Sequence, residues 1–451
     1  MLGGPEFLEG AAIGPLTAPE RTAPAQLAPR RTRRPGGLVA LCLLALLTLA
    51  CGFANKARCT GPAFDAQGRS GPNYQQRAYG DVCYSDIQNL WLGRDINHHV
   101  FPYVHGGITP GGSLTGGSVE YPVLTGILMW AGAFFAHTDA GFLLASALLL
   151  APFGLLTAWL LGRLSGWRAS LWALGPPLVL YAFHNWDLAA VACATAAVFV
   201  VHRTRSSLRR RGVLAGALLG IGFAFKIYPA LFAVPLALHV FVAGRRDLRG
   251  ALRSAGSAAG AAVLANLPFA LVGFRGWWAS FEFQSRREVD ISSDSAWYWA
   301  FRPHSGSDQF QSLVGVLSPA LIAAAFAAAC WWGWRTSRRT GSYPWIQVSA
   351  AVLCAFLLLH KVHSPQYALW LLPFFVLVRV RWGWIVGYLL ADAAMSIGIF
   401  RWLSTGGSIN DGFAAQAVVL GVWGRAALLV GLFVAFLSSS TSLDRGFTAR
   451  R

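Results

Sequence analysis

WIQVSAAVLCAFLLLHKVHSPQYALWLLPFFVLV, Trp345 to Val378, holds two apolar runs joined by a corner with two imidazoles, a lysine, a proline and a glutamine. Uncharged arms of this length read as membrane helices, and Pro365 sets the break between them. Polar groups at the edge of a bilayer cost free energy unless something receives them. His360, Lys361, His363, Gln366 and Tyr367 are therefore the first candidates for function.

The rest of the chain repeats the pattern. Of its 451 residues 55% are hydrophobic and 12% charged, with mean hydropathy +0.48, so segments of about 20 residues, the length that crosses a bilayer, fill most of it. Spans are predicted near 37–54, 140–162, 169–183, 187–202, 212–226, 227–243, 251–273, 311–334, 345–360, 366–379, 384–400 and 413–437. The fold class is thus an all-α polytopic membrane protein with about 12 transmembrane helices.

The 37 basic and 19 acidic side chains give a net charge of +18. In a soluble protein that excess suggests nucleic acid. Here it sits in short clusters between spans (RRTRR, RTRSSLRRR, GRRDLRG, WRTSRRT, RVRW), as positive-inside topology requires, so no nucleic-acid partner is expected. With RRTRR inside, the twelve crossings put every later basic cluster inside as well. YPVLTGILMWAGAFFA, Tyr121 to Ala136, would invert that alternation if it crossed, and is read as re-entrant or interfacial. Residues 1–36 and 438–451 are expected to be cytoplasmic tails, the first disordered, and GGLVALCLLALLTLACGFA an uncleaved first helix. The large external loops are 55–120 and 275–310, and neither has a pattern long enough for its own core. Cys59 and Cys83 share the first and can pair if it is external.

The unusual polar residues collect on that external side. In the first loop Ser85 can cap a short helix with Ile87, Leu90 and Trp91 on one face, lying on the membrane surface, and Asp86 sits at its N-terminus. Glu120 and Tyr121 close the loop. FHNWD puts Asn185 and Asp187 between two spans, where either can cap a helix and a carboxylate can steady a cation. Lys226 and Tyr228 lie within a 33-residue apolar stretch broken at Pro229. A lone ammonium there costs roughly 3 kcal/mol on insertion scales, so an anion must receive it; a ligand phosphate is favoured over Asp187. Arg286, with Arg287, Arg302, Trp297 and neighbouring aromatics, suits sugars and phosphates in the third polar loop, and equally lipid headgroups. Adjacent His98 and His99 do not match a preformed metal site. Carboxylate, cations and aromatic faces together suit a group transfer in which a phosphate leaves and a hydroxyl attacks.

CYSDI, PY before EYPVLTG, HNWDL, KIYP and HKVHSPQYALWLLP, in this order and on one side, resemble the pattern of the actinobacterial glycosyltransferase family 87 of the GT-C superfamily, from Tyr84 to about Pro373. The resemblance implies a GT-C-like bundle in the plasma membrane with an extracytoplasmic active site. It implies a polyprenyl-phosphate-mannose donor and an inverting transfer to a lipid or glycolipid hydroxyl, with no cofactor and no metal. It assigns the general base to Asp86, with Asp81 as rival because an insertion precedes the motif. It gives the donor phosphate to Lys226, His360, Lys361 and His363. A monomer is expected. A decaprenyl-phosphate arabinose donor, or a transporter, are the alternatives; no half-to-half repeat supports the latter.

Overall fold

The computed structural model describes Met1, residues 35–406 and residues 412–443. The expected tails lie mostly outside these residues, as does the centre of RWLSTGGSINDG. Gly36–Arg451 forms one unit.

All twelve predicted spans fall on helix, with one difference. The segment near 169–183 is two short helices, Ser170–Ala173 and Pro176–Tyr181, because Gly175 and two prolines interrupt it. Elsewhere the boundaries follow local chemistry. Thr138, Ser207, Asp247 and Ser307 each accept a backbone N–H at the start of a long helix, and Gly341, at φ 71°, ends Asp308–Thr340.

Helix length divides the described bundle into two classes. Six helical segments are long and apolar enough to cross a membrane: Gly36–Ala57, Asp139–Ala173 (the helix Asp139–Ser165 with the short turns that follow it), Leu248–Val272, Asp308–Thr340, Trp382–Ser404 and Gly412–Ser438. Leu248–Val272 and Asp308–Thr340 leave most of their apolar surface unburied, with Leu264, Leu271, Val316 and Trp331 turned outward, as helices facing lipid tails do. Four more are shorter: Asp187–Arg203, Tyr228–Ala243, Trp345–Leu359 and Pro365–Leu377 have 17, 16, 15 and 13 residues. At 1.5 Å per residue these reach only about 20–26 Å, less than the roughly 30 Å hydrocarbon layer. Each has one end at a basic cluster and the other at FHNWD, KIYP or HKVHSPQY. If the basic ends lie at one membrane surface, the three polar corners must be sunk beneath the other.

The basic ends are tied together. The Arg168 guanidinium donates to the carbonyls of Phe375, Val376 and Val378, Arg203 to Leu164, and Arg211 to Val201. Helix Leu208–Phe225 packs closely on Leu248–Val272, where a Cβ on Gly216 or Gly220 would stand 2.2 or 2.1 Å from the carbonyls of Ser254 or Ala258. Small residues four apart are what allow that approach.

The region expected to be re-entrant forms the helix Val123–Ala133, 11 residues long and about 16 Å, too short to cross. The Thr125 hydroxyl donates to the Phe225 carbonyl, which brings its N-terminus to the KIYP corner. The first loop carries two small antiparallel ladders, Ala63–Phe64 with Ser70–Gly71 and Gly107–Ile108 with Leu114–Thr115, and a Cys59–Cys83 disulfide. The third polar loop is more ordered than expected, with helices Phe274–Arg286 and Ala296–Phe301 flanking a strap, 287–295.

Candidate active site

The three polar corners, the first loop and the strap enclose one cavity of about 950 Å³. Asp86 begins the helix Asp86–Gly93, and the Ser85 side chain caps it by accepting the Ile87 N–H at 3.2 Å. Ile87, Leu90 and Trp91 form the buried face, as predicted, but they meet protein rather than the membrane surface: Trp91 packs on Phe142 of the helix Asp139–Ser165, ring centroids 5.6 Å apart. The backbone fixes the start of this helix from below. The Asp86 N–H donates to the His184 carbonyl at 2.8 Å, and the Ser85 hydroxyl to that of Phe183 at 2.7 Å.

Asn185 joins the acid to the cation. Its Nδ2 donates to Asp86 Oδ2 at 2.7 Å and to the Tyr121 hydroxyl at 2.8 Å; its Oδ1 accepts from the Trp186 N–H at 2.7 Å and from Lys226 Nζ at 3.0 Å. All four hydrogen bonds of the amide are made, and flipping it would set its NH2 against an ammonium and an N–H. Expected to cap a helix or to bind donor or acceptor, Asn185 separates a carboxylate from an ammonium by one amide.

Lys226 has a protein anion. Asp187 Oδ1 lies 3.6 Å from Nζ and accepts the Trp370 indole N–H at 2.7 Å, and the ammonium sits 4.4 Å above the Tyr121 ring. The ligand phosphate expected to receive this charge would share it with Asp187. Lys226 still faces the cavity. Beside it Tyr228 and Tyr367 stack on the two sides of Trp370, centroids 4.3 and 3.9 Å away.

Of the residues singled out in the sequence, Asp86, Glu120, Tyr121, Asn185, Lys226, Tyr228, Arg286, His360, Gln366 and Tyr367 line the cavity. Asp187 stands behind Lys226. The remaining four lie elsewhere. Asp81 is exposed beside Cys59, on a helix C-terminus that turns away. Lys361 donates to the Ser285 carbonyl, His363 is buried under the corner edge-on to Tyr367, and Trp297 donates to the Leu359 carbonyl. In an extended corner, successive side chains cannot all face one way, and here His360 and Val362 take the cavity side.

The polar rim holds two arginines in different settings. Arg286, the last residue of its helix, is paired with Glu282 one turn back, whereas Arg287 leaves the helix and faces the cavity beside His360, Lys361 and Tyr367, with no ion pair among the described residues. His360 is not a ready cation. Its Nδ1 lies 2.7 Å from the Val362 carbonyl and 3.2 Å from the Val362 N–H, so the ring is engaged with the backbone of its own corner. Glu120 is held by Arg94 through two contacts of 2.8 and 3.2 Å. Tyr84, whose hydroxyl donates to Asp86 Oδ1 at 3.0 Å, and the Tyr79–Tyr84–Phe400 cluster line the opposite wall. An aromatic next to an acid is too common for sequence to mark, although Tyr84 stands inside CYSDI.

Among the described residues no group of three or more His, Cys, Asp or Glu side chains gathers as metal ligands do. The arrangement offers a hydrogen-bonded carboxylate, an ammonium one amide away, a free guanidinium and aromatic faces, all in one recess.

No curated protein matches the sequence. The solved structure of ArnT from Cupriavidus metallidurans bound to undecaprenyl phosphate is similar over 90% of this chain and 77% of its own, at 15% identity and TM-score 0.41. The profile of glycosyltransferase family 87 matches residues 120–360, which contain Glu120, Asn185, Lys226, Arg287 and His360. Matched over more than half of its length, the chain belongs to glycosyltransferase family 87.

Proposed function

We propose that this membrane protein transfers mannose, with inversion, from a polyprenyl-phosphate donor to a lipid or glycolipid hydroxyl on the extracytoplasmic side. The observation that carries the reading is the hydrogen-bonded series Asp86–Asn185–Lys226 opening on one cavity. Asp86 takes the proton of the acceptor hydroxyl as its oxygen bonds to the anomeric carbon. The bond from that carbon to the phosphate oxygen breaks, and polyprenyl phosphate departs with the electron pair. Lys226 and Arg287 face the oxygen where charge grows, and His360 joins them once it is protonated. Protein cations thus do the neutralisation, and no metal or cofactor is required.

Two features support the extracytoplasmic side. The cavity lies at the helix ends opposite the basic clusters, which positive-inside topology keeps in the cytoplasm. The Cys59–Cys83 disulfide stands at the cavity end, and oxidised pairs belong outside. The recessed corners allow a lipid-linked donor to enter from the bilayer. Mannose as the sugar rests on the family resemblance, and ArnT bound to undecaprenyl phosphate is a precedent for the carrier lipid.

Purified protein, given labelled polyprenyl-phosphate mannose or decaprenyl-phosphate arabinose with membrane lipid acceptors, tests this. Mannose appearing in a lipid product is the expected result. Transfer of the pentose alone would replace the donor, and flux across vesicles without transfer would replace the class.

A further inference from the structure

QGRS, Gln67 to Ser70, belongs to none of the corner motifs, yet it meets the helix that carries Asp86. Asp65 builds the turn before it, its Oδ1 accepting the Gln67 and Arg69 N–H groups, both at 2.9 Å. Gly68 stands at φ 74°, where a Cβ would lie 2.2 Å from the His137 carbonyl, so the turn presses on the start of the long helix Asp139–Ser165. The Gln67 carbonyl accepts the Trp91 indole N–H at 2.9 Å, and the Gly68 carbonyl accepts the Asp139 N–H at 2.8 Å. Arg69 spans the same two elements with its side chain. Its guanidinium donates to the carbonyls of Gln88 and Asn89 on the Asp86 helix, 2.6 and 3.0 Å away, and to Asp139 Oδ2 at 3.2 Å. Asp139 is fully buried and accepts the Ser70 N–H at 2.9 Å and the Ser70 hydroxyl at 2.6 Å.

The helix Asp86–Gly93 has eight residues. A helix so short does not persist alone in water, so its neighbours decide where Asp86 stands. The FHNWD corner fixes the first turn through the His184 carbonyl, and a rod pinned at one end can still swing about it. We propose that Arg69 and Asp139 are positioning residues for the transfer: Asp139 orients the guanidinium, which locks the Asp86 helix to the helix Asp139–Ser165 and so aims the carboxylate at the acceptor hydroxyl. The proposal rests on the reading of Asp86 as the base. Neither residue lines the cavity, whereas Asp86 and Asn89 do, so the pair acts through the helix. A planar fork suits this post, because it holds two adjacent carbonyls and a carboxylate at once, which one ammonium does not.

The groups assigned to the donor phosphate, Lys226 and Arg287, stand on other elements, and this separates two readouts. In the purified full-length Arg69→Met protein, single-turnover transfer from labelled polyprenyl-phosphate mannose to membrane lipid acceptors should fall on the order of ten- to a hundredfold, with donor affinity unchanged. Arg69→Lys keeps a cation beside Asp139 and should show a smaller loss of the same kind. In an Asp86→Asn background, Arg69→Met should cost nothing further, because the residue acts only through that carboxylate. Thermal unfolding in detergent identifies the folded variants, and Arg69→Lys carries the test if Arg69→Met does not fold. A wild-type rate in folded Arg69→Lys protein, equal losses of rate and donor affinity, or an additional loss in the Asp86→Asn background overturns the proposal. Wild-type transfer by Asp86→Asn alone would instead remove the reading of the base.

Discussion

Asn185→Ala deletes the side chain on which the acid and the cation meet. Four hydrogen bonds go with it, two to charged groups (Asp86 and Lys226) and two to neutral ones (Tyr121 and Trp186). At about 1.5–3 kcal/mol for each charged contact and about 1 for each neutral one, the gross loss is about 5–8 kcal/mol. The cavity opens onto this position, so water enters and re-solvates part of what is exposed. The expected net destabilisation is therefore about 2–4 kcal/mol. Rate should suffer more than stability, because Asp86 loses one of two fixed partners, and a misplaced base costs on the order of a hundredfold. Thermal unfolding in detergent gives the first quantity, and transfer rate at saturating donor the second. If the Asn185→Ala protein matches wild type in both, the amide is not the link between base and cation.

Neighbouring positions give sharper contrasts. Arg287→Ala should weaken donor binding by about 1.5–3 kcal/mol, a free charge–phosphate contact, while Arg286→Ala, which breaks an exposed pair with Glu282, should change it by less than about 1 kcal/mol; titration with labelled donor compares them, and equal effects would refute the assignment. Asp294, in the strap, is pushed from 3.8 up to about 7 by burial, with Arg425 pulling down and Asp392 pushing up. A carboxyl raised by folding contributes stability fully present below its unfolded value and lost as pH rises through about 7. Asp294→Asn should therefore flatten the pH dependence of the unfolding temperature over that window and raise it above the window; an unchanged slope would refute this.

The helices were legible in the sequence because lipid imposes a simple rule: backbone groups must be paired within each crossing, and side chains must be apolar. The corners were legible because Lys226 and His360 have no reason to stand at helix breaks in an apolar chain unless they are used. Convergence was less so. Asp86 and Lys226 are 140 positions apart in sequence, and only packing puts one amide between them. Glu282, four residues before Arg286, already signalled that Arg286 is engaged, while Arg287, one residue on, leaves the helix. His363 and Lys361 were given to the donor phosphate by the family resemblance, which says nothing of where an extended corner points its side chains. Arg425 and Asp392 are charges inside apolar helices, visible by the same reasoning as Lys226, yet they are buried away from the recess, where Arg425 donates to the Asp294 carbonyl at 2.8 Å and holds the strap.

Single-turnover transfer of labelled mannose by the purified Asp86→Asn protein, with donor binding measured on the same sample, addresses the claim that this carboxylate abstracts the acceptor proton. Transfer should drop by about 10²–10⁴-fold while the donor still binds. Wild-type turnover in that protein would contradict the account.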